Sequence, residues 1–287
     1  MTELIQALTG VSAQIAVHLN AQLDTGKVDI PMLPEIANKV LSLTSDQDSN
    51  AQQLAALIQS DQALAGRVMQ IANSAAYCPN ASIVSLQQAI SRLGMTMLAE
   101  IALAASINTK MFNVPGYENR LADIWKHALA TALWGKEIAR ASRRNVEAAF
   151  LCGLLHSMGR PVILQNTLDL LKGMPESLNE REILDIEDAL QHRASLVVAE
   201  SWKMPKIIHE TLLHYPTYAT ADTAKEQAMI VFAAVKFATS MLSPERLSID
   251  DLKVHPVLAD LNLYDDEIET LLEKTDAIKS TMESMRG

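Results

Sequence analysis

The sequence predicts an all-α protein, a multi-helix fold in which an N-terminal helical lobe packs on a second helical lobe. Three observations carry that reading. The hydrophobic half of the chain is rich in Ala, Leu and Met and holds only four Phe, five Tyr and three Trp. Ala, Leu and Met lose little on entering a helix, whereas strands draw on aromatic and β-branched residues. Caps and 3.6-residue apolar spacing recur, and no segment alternates with period two. At 287 residues the chain exceeds the usual size of one hydrophobic core, which favours two packed lobes.

Taken in order, Leu33-Pro34-Glu35 opens a helix that carries Ile36, Ala37, Val40 and Leu41 on one face. A second helix starts near Ser49-Asn50 with Leu54, Leu57 and Ile58, and Asp61 caps a third with Leu64, Val68 and Ile71. Turn formers and Pro79 in residues 72–80 end it. Ser85 then caps Leu86, Ala89, Ile90 and Leu93, closed by Gly94 at a position that favours left-handed backbone. Residues 95–107 are apolar nearly all round yet too short to span a bilayer, which predicts a buried helix. Asn113-Val114-Pro115-Gly116 breaks the pattern and sets the boundary between a first lobe, residues 1–114, and a second, residues 115–242. Periodic stretches at 125–141, 146–155 and 195–202 belong to the second lobe. Residues 243–287 form a helical extension with Leu261, Ile268, Leu271 and Leu272 as its buried positions.

Composition excludes several classes of function. A net charge of −10, with Arg143-Arg144 as the densest basic spot, is the wrong electrostatics for nucleic acid. No basic leader and no run approaching ~18 uncharged apolar residues is present, so a cytoplasmic protein without a membrane partner is expected. Cys78 and Cys152 lie outside any CxxC spacing and read as small core residues. GxGxxG, P-loop, GxSxG and HExxH motifs are absent.

Between Leu33 and Ile107 an ordered set of short signals resembles the HDOD family: Leu33-Pro34, Asp61 through Leu64, Arg67-Val68, Ile71-Ala72-Asn73-Ser74-Ala75, Ile83, and Ala89-Ile90 followed by Leu93-Gly94. The second half is similar to the family's HD-derived lobe. There the matches are Trp125-Lys126-His127, the run from Ala149 through His156-Ser157-Met158-Gly159-Arg160, then His192, Trp202-Lys203-Met204-Pro205 and His214-Tyr215. Together they cover residues 30 to 242. The resemblance implies a bacterial signal-transduction module that works through signalling proteins or a nucleotide-type ligand, often near cyclic-dinucleotide pathways.

The same resemblance implies where an HD phosphohydrolase would hold its metal. His127 matches the first histidine and His156 the second. Ser157 stands where the paired aspartate is expected, and Thr239 where the last one is. Neither hydroxyl supplies the charge that a hard divalent ion needs. The usual carboxylate-bridged centre is therefore not expected, no cofactor is called for, and catalysis is not assigned. His127, His156, His192 and His214 remain candidates for a residual transition-metal site, with a buried hydrogen-bonding role as the competing reading. Arg160, just after the HD-like segment, is a candidate for holding an anion, or a surface arginine. Asn73, Ser74 and Tyr77 are candidates for partner contact, with capping and turn formation as their structural role. The functional expectation is a non-catalytic regulatory module; the alternative is a metal-dependent phosphohydrolase acting on a nucleotide or phosphodiester.

Overall fold

The computed structural model describes residues 2–46, 48–78, 83–107 and 111–286, and among them there is no strand. Helices α1 (Thr2–Gln6) and α2 (Gly10–Thr25) come first. They are followed by α3 (Glu35–Ser45), α4 (Ala51–Gln59), α5 (Gln62–Ala72), α6 (Leu86–Leu93) and α7 (Met95–Ser106). Next come α8 (Glu118–Ala141), α9 (Val146–Leu155), α10 (Gly159–Leu171), α11 (Glu180–Ser201), α12 (Lys206–His214), a 3-10 segment (Tyr215–Thr220) and α13 (Lys225–Leu242). The chain ends in α14 (Ile249–Lys253), α15 (Pro256–Asp260), α16 (Asp265–Leu272) and α17 (Thr275–Arg286).

The expected caps form where the side-chain chemistry calls for them. Asn50 accepts from the backbone N–H of Gln52 and Gln53 while Gln53 reaches back to Asn50, a reciprocal box at the start of α4. Asp61 accepts from Leu64 N at 3.0 Å, and Ser85 from Gln88 N at 3.2 Å. Pro34 sits one residue before α3 rather than within its first turn. Gly94 has φ +83° with ψ 162°, a conformation beyond the left-handed helical region that only glycine adopts readily. That residue lets α6 and α7 meet at a bend of 119°. No single helix among the described residues is long and apolar enough to cross a membrane. Helix α7 is buried from Leu98 through Ala105, as its all-round apolar character predicts. Pro79 and Asn80, part of the expected turn, lie outside the described residues.

Two compact units result, and their boundaries differ from the three consecutive segments expected. One comprises Met1–Met32 and Thr109–Asn262; the other comprises Leu33–Asn108 and Leu263–Gly287. The first 32 residues join the histidine-bearing lobe because α2 buries Ile15, Ala16, Leu19 and Leu23 and packs on α10 and α11. Polar bonds fix the same segment: Asn166 exchanges hydrogen bonds with the Asp29 backbone at 3.1 and 2.9 Å, and Trp202 Nε1 donates to Pro31 O at 2.9 Å. The extension divides. Helices α14 and α15 pack on α13 in the first unit, whereas α17 packs on α5 and α7 in the second. There Ile278, Met282 and Met285 are buried, about 1.5–3 kcal/mol each by transfer, and Arg67 Nη2 donates to Met285 O at 3.3 Å.

Candidate functional site

Close helix contact places the histidines. Two glycines flank the His156-Ser157 pair and neither tolerates a larger side chain. A Cβ on Gly153 would lie 2.7 Å from Ala132 Cα, and one on Gly159 would lie 2.0 Å from Gln191 O. Gly153 thereby presses α9 onto α8, and Gly159 presses α10 onto α11. Ser195 Oγ completes the junction by accepting from Gly159 N at 2.9 Å and donating to His156 O at 3.0 Å.

The result is a chain of rings within one unit. His127 on α8 lies 5.6 Å from His156, measured between ring centroids. His156 meets Tyr215 edge-on at 5.8 Å, and Tyr215 meets His192 at 5.7 Å. Their hydrogen bonds assign protons. His156 Nδ1 lies 2.7 Å from Gly153 O; a carbonyl only accepts, so Nδ1 carries the proton and Nε2 keeps its lone pair. His192 Nε2 likewise donates to Leu212 O at 2.8 Å. Thr239 donates its hydroxyl to Val235 O at 2.7 Å, so at 3.2 Å it accepts from His127 Nε2.

Electrostatics keep both central rings neutral. Burial, reinforced by Arg160, Arg246 and Arg120, pushes His127 down to about 4. Burial and the neighbouring His127 push His156 down to about 3, against the pull of the Gly153 carbonyl. His192 is lowered chiefly by burial. Cys152 is fully buried and its thiol is pushed up to about 12, which removes it as a nucleophile.

Arg160 is not a surface arginine. It pairs with Asp188 at 2.7 Å and with Glu187 at 3.4 Å. Glu187 is itself completely buried and also held by Arg120 at 2.5 Å. Of the four candidate histidines, three join the ring chain. His214 closes α12 half-buried, and its neighbour Tyr215 takes the ring position instead. Among the described residues no group of three His, Cys, Asp or Glu side chains is placed to hold a metal ion. The donor set accords with this: His127 and His192 spend Nε2 on Thr239 and Leu212, and Ser157 and Thr239, where the resemblance implies aspartates, are neutral hydroxyls. The residues present therefore do not fit a carboxylate-bridged centre.

In the other unit, Asn73 is spent within the fold. Its Nδ2 donates to Met69 O at 3.0 Å and Ile83 O at 2.8 Å, and its Oδ1 accepts from Ile83 N at 2.7 Å. Tyr77 is half-buried, its phenol raised by burial and by Glu100. Ser74 Oγ is buried without a hydrogen-bond partner. An open concavity of 910 Å³ in this unit is lined by Pro34, Glu35, Lys39, Asp61 and Ser106 among others.

No sequence motif marks Arg120, Thr131, Glu187, Ser195 or Arg246 as site residues, and Tyr215 stands out only as the neighbour of His214. Arg120 was within reach, because it lies seven residues before His127 and so on the same face of α8. Glu187, one of several acids on α11, carries no comparable signal.

Helices pressed together by Gly153 and Gly159, with His127 and His156 at their junction, define an all-helical module of the HD-related kind. The HDOD domain model matches residues 30–217, and the chain belongs to the HDOD family. Solved structures share the fold. An HDOD domain protein with unknown function from Geobacter sulfurreducens is 22% identical with a TM-score of 0.70, covering 95% of this chain and 96% of that one. A protein of Shewanella amazonensis SB2B, provisionally named a metal-dependent phosphohydrolase, is 18% identical with a TM-score of 0.72, covering 94% and 99%. One from Marinobacter aquaeolei VT8, provisionally named a signal transduction protein, is 20% identical with a TM-score of 0.69, covering 99% and 68%. An uncharacterised protein of Treponema pallidum (strain Nichols) is 23% identical over 202 residues. That match takes in 66% of this chain and 39% of the relative, so the chain spans well under half the relative's length.

Proposed function

We propose that this chain is a non-catalytic regulatory module that transmits a signal by binding a protein or a nucleotide-type ligand. One observation carries the reading: Thr239, at the position where the resemblance calls for a metal-binding aspartate, is hydrogen-bonded to His127 Nε2 and Val235 O. A threonine so engaged neither charges the site nor leaves that histidine nitrogen free. Ser157, at the other aspartate position, is buried and equally neutral. Elemental analysis of the purified protein, with a generic phosphodiester assay across divalent metals, tests this. The regulatory reading expects no stoichiometric metal and no turnover. Stoichiometric metal together with turnover abolished in His156→Ala overturns it.

The second reading is a metal-dependent phosphohydrolase acting on a nucleotide or phosphodiester. It is favoured by the lone pair on His156 Nε2, which no described hydrogen bond occupies, in a ring 5.6 Å from that of His127. The same assay decides between the two.

A further inference from the structure

We propose that α14 and α15 form a releasable strap that braces the histidine cluster, latched by the neutral ring of His255 and loosened when that ring takes up a proton. The strap covers residues 249–260, and both of its helices pack on α13, with Leu252, Val257 and Leu258 buried. One half-buried ring gathers its remaining contacts. Phe232 on α13 lies 5.7 Å from His255 and 5.2 Å from Tyr218 of the 3-10 segment, measured between ring centroids, and Lys236 Nζ stands 4.8 Å from its centre. Tyr218 also donates its hydroxyl to Asp260 Oδ2 at 2.8 Å. The strap is thereby pinned at its middle and at its end. The two segments that hold these pins also build the cluster: the 3-10 segment opens with Tyr215, and α13 carries Thr239 one turn after Lys236. Tyr215 meets both His156 and His192, and Thr239 accepts from His127.

His255 sits at the joint between the two helices and caps α15. Its Nδ1 accepts from Val257 N at 3.4 Å, a role that needs a lone pair there and leaves the ring proton on Nε2. Protonation turns Nδ1 into a donor facing a donor, and the cap is lost. It also brings a second cation to the Phe232 ring, whose attraction for positive charge Lys236 already draws on. The charged and titratable neighbours are Lys236 from α13, Tyr218 from the 3-10 segment and, on the strap itself, Asp260, whose carboxylate the phenol engages. In keeping with this geometry, burial and Lys236 hold His255 below its ordinary range. Docking is therefore strongest above pH ~6.5 and weakens as pH falls from there toward the docked ring's own midpoint, about tenfold for each unit by which docking lowers it. The apolar anchors remain, so protonation enlarges a locally opened population rather than freeing the strap outright. Neither metal nor turnover enters this inference, which stands apart from the choice between the regulatory and hydrolytic readings.

Hydrogen exchange of the full chain between pH 7 and pH 5 tests the latch, with His255 followed through its ring resonances. The comparison is His255→Asn, whose side-chain oxygen can keep the cap and does not titrate. Relative to this variant, protection of the wild-type α14 and α15 amides is expected to fall roughly three- to tenfold, centred on the His255 midpoint. The same ratio for α10 and α11 stays level, since any loss common to the whole unit cancels. Lys236→Met is expected to carry the His255 midpoint and the strap's loss together to higher pH. An equal pH dependence in wild type and His255→Asn overturns the latch, as does a loss that stays in place when the His255 midpoint moves. Phe232→Leu at pH 7 tests the brace. It is expected to quicken exchange in the strap and to shift the ring nitrogen resonances of His127 and His192. A strap left as tight as before, or a loosened strap with those resonances unmoved, overturns the bracing. The substituted side chains are all half-buried, so the variants keep the fold, which circular dichroism verifies.

Discussion

In the unit built on α8 to α13, buried polar and charged side chains run through the packing: Thr131, Lys136, His156, Ser157, Gln165, Asn166, Glu187 and Ser195 are examples. In the unit built on α3 to α7, Glu100 is the one polar residue buried as a whole among those described. The second unit places its polar groups at helix ends, where Asn50, Asp61 and Ser85 satisfy N–H groups two or three residues away. The first satisfies them across long sequence separations, as in Ser195 with His156 and Arg120 with Glu187. A buried polar interior is costly unless fully paired, so the first unit is where stability has been exchanged for an arranged set of chemical groups. The second is an apolar bundle with ordinary caps.

Substitutions that break each unit in its own terms separate the two. The largest effect is expected from Gly159→Ala. Its Cβ would stand 2.0 Å from Gln191 O and 2.5 Å from Ser195 N, both backbone atoms that cannot swing away. A loss of about 3 kcal/mol or more is expected. Gly94→Ala in the other unit meets nothing within 4 Å, and only the strain of its positive φ remains, about 1–3 kcal/mol. Urea unfolding followed by tryptophan fluorescence reads the first unit selectively, since Trp125, Trp134 and Trp202 all belong to it. Equal losses for the two variants would remove the distinction. Next in size is Glu187→Gln, which leaves Arg120 and Arg160 facing an uncharged amide. Both guanidiniums are about a quarter exposed, so water offsets part of the cost and a loss of about 2 kcal/mol is expected. An unchanged midpoint would show that the ion pairs are dispensable to the fold.

How much of this was legible in the sequence follows the same division. In the second unit the signals are local: Asn50, Asp61, Ser85 and Gly94 act within a few residues of themselves, so their positions announce their roles. In the first unit, His127, His156 and His192 were found because the resemblance marks them, but no local rule says that Tyr215 rather than His214 completes the ring chain. That choice depends on how α12 ends and turns. Glu187 and Arg120 are 67 residues apart, a pairing visible only after folding. The discontinuous units were hidden for a related reason. The α2 stripe and the α17 stripe each show that a face is buried, and neither shows against what. The resemblance draws attention to Ser157 and Thr239, yet nothing in the sequence announces the bond from His127 to Thr239.

The neutral histidines extend the comparison to pH. His127 and His156 titrate near 4 and near 3 in the folded chain, against about 6.5 when unfolded. Below 6.5 the unfolded state binds protons that the folded state refuses. The stabilisation is therefore complete above pH 6.5 and declines as pH falls from there toward 4. Each histidine contributes a slope of up to about 1.4 kcal/mol per pH unit in that window, less for His127, which is not fully buried. His156→Gln flattens the slope by one histidine. Hydrogen exchange at pH 7 and pH 5.5 places the loss: amides of α8, α9 and α13 are expected to open first, and a uniform loss over both units would contradict the assignment.

The smallest effect tests whether the second unit is as local as its caps make it look. Asn73 departs from the local pattern, as Arg67 does in reaching Met285 O, because it reaches ten residues ahead to both the N–H and the C=O of Ile83. Asn73→Ala removes those bonds and a third to Met69 O. The site is half-buried, so water replaces part of what is lost, and about 1 kcal/mol is expected. Asn73→Asp keeps the acceptor for Ile83 N and forfeits the two donated bonds. If Asn73 only closes the turn, both variants lower stability, the aspartate less than or equal to the alanine, and hydrogen exchange quickens around Ile83 with no change in α8 to α13. Loss of binding to a physiological partner at unaltered stability would instead make Asn73 a recognition residue, and the second unit would then carry function of its own.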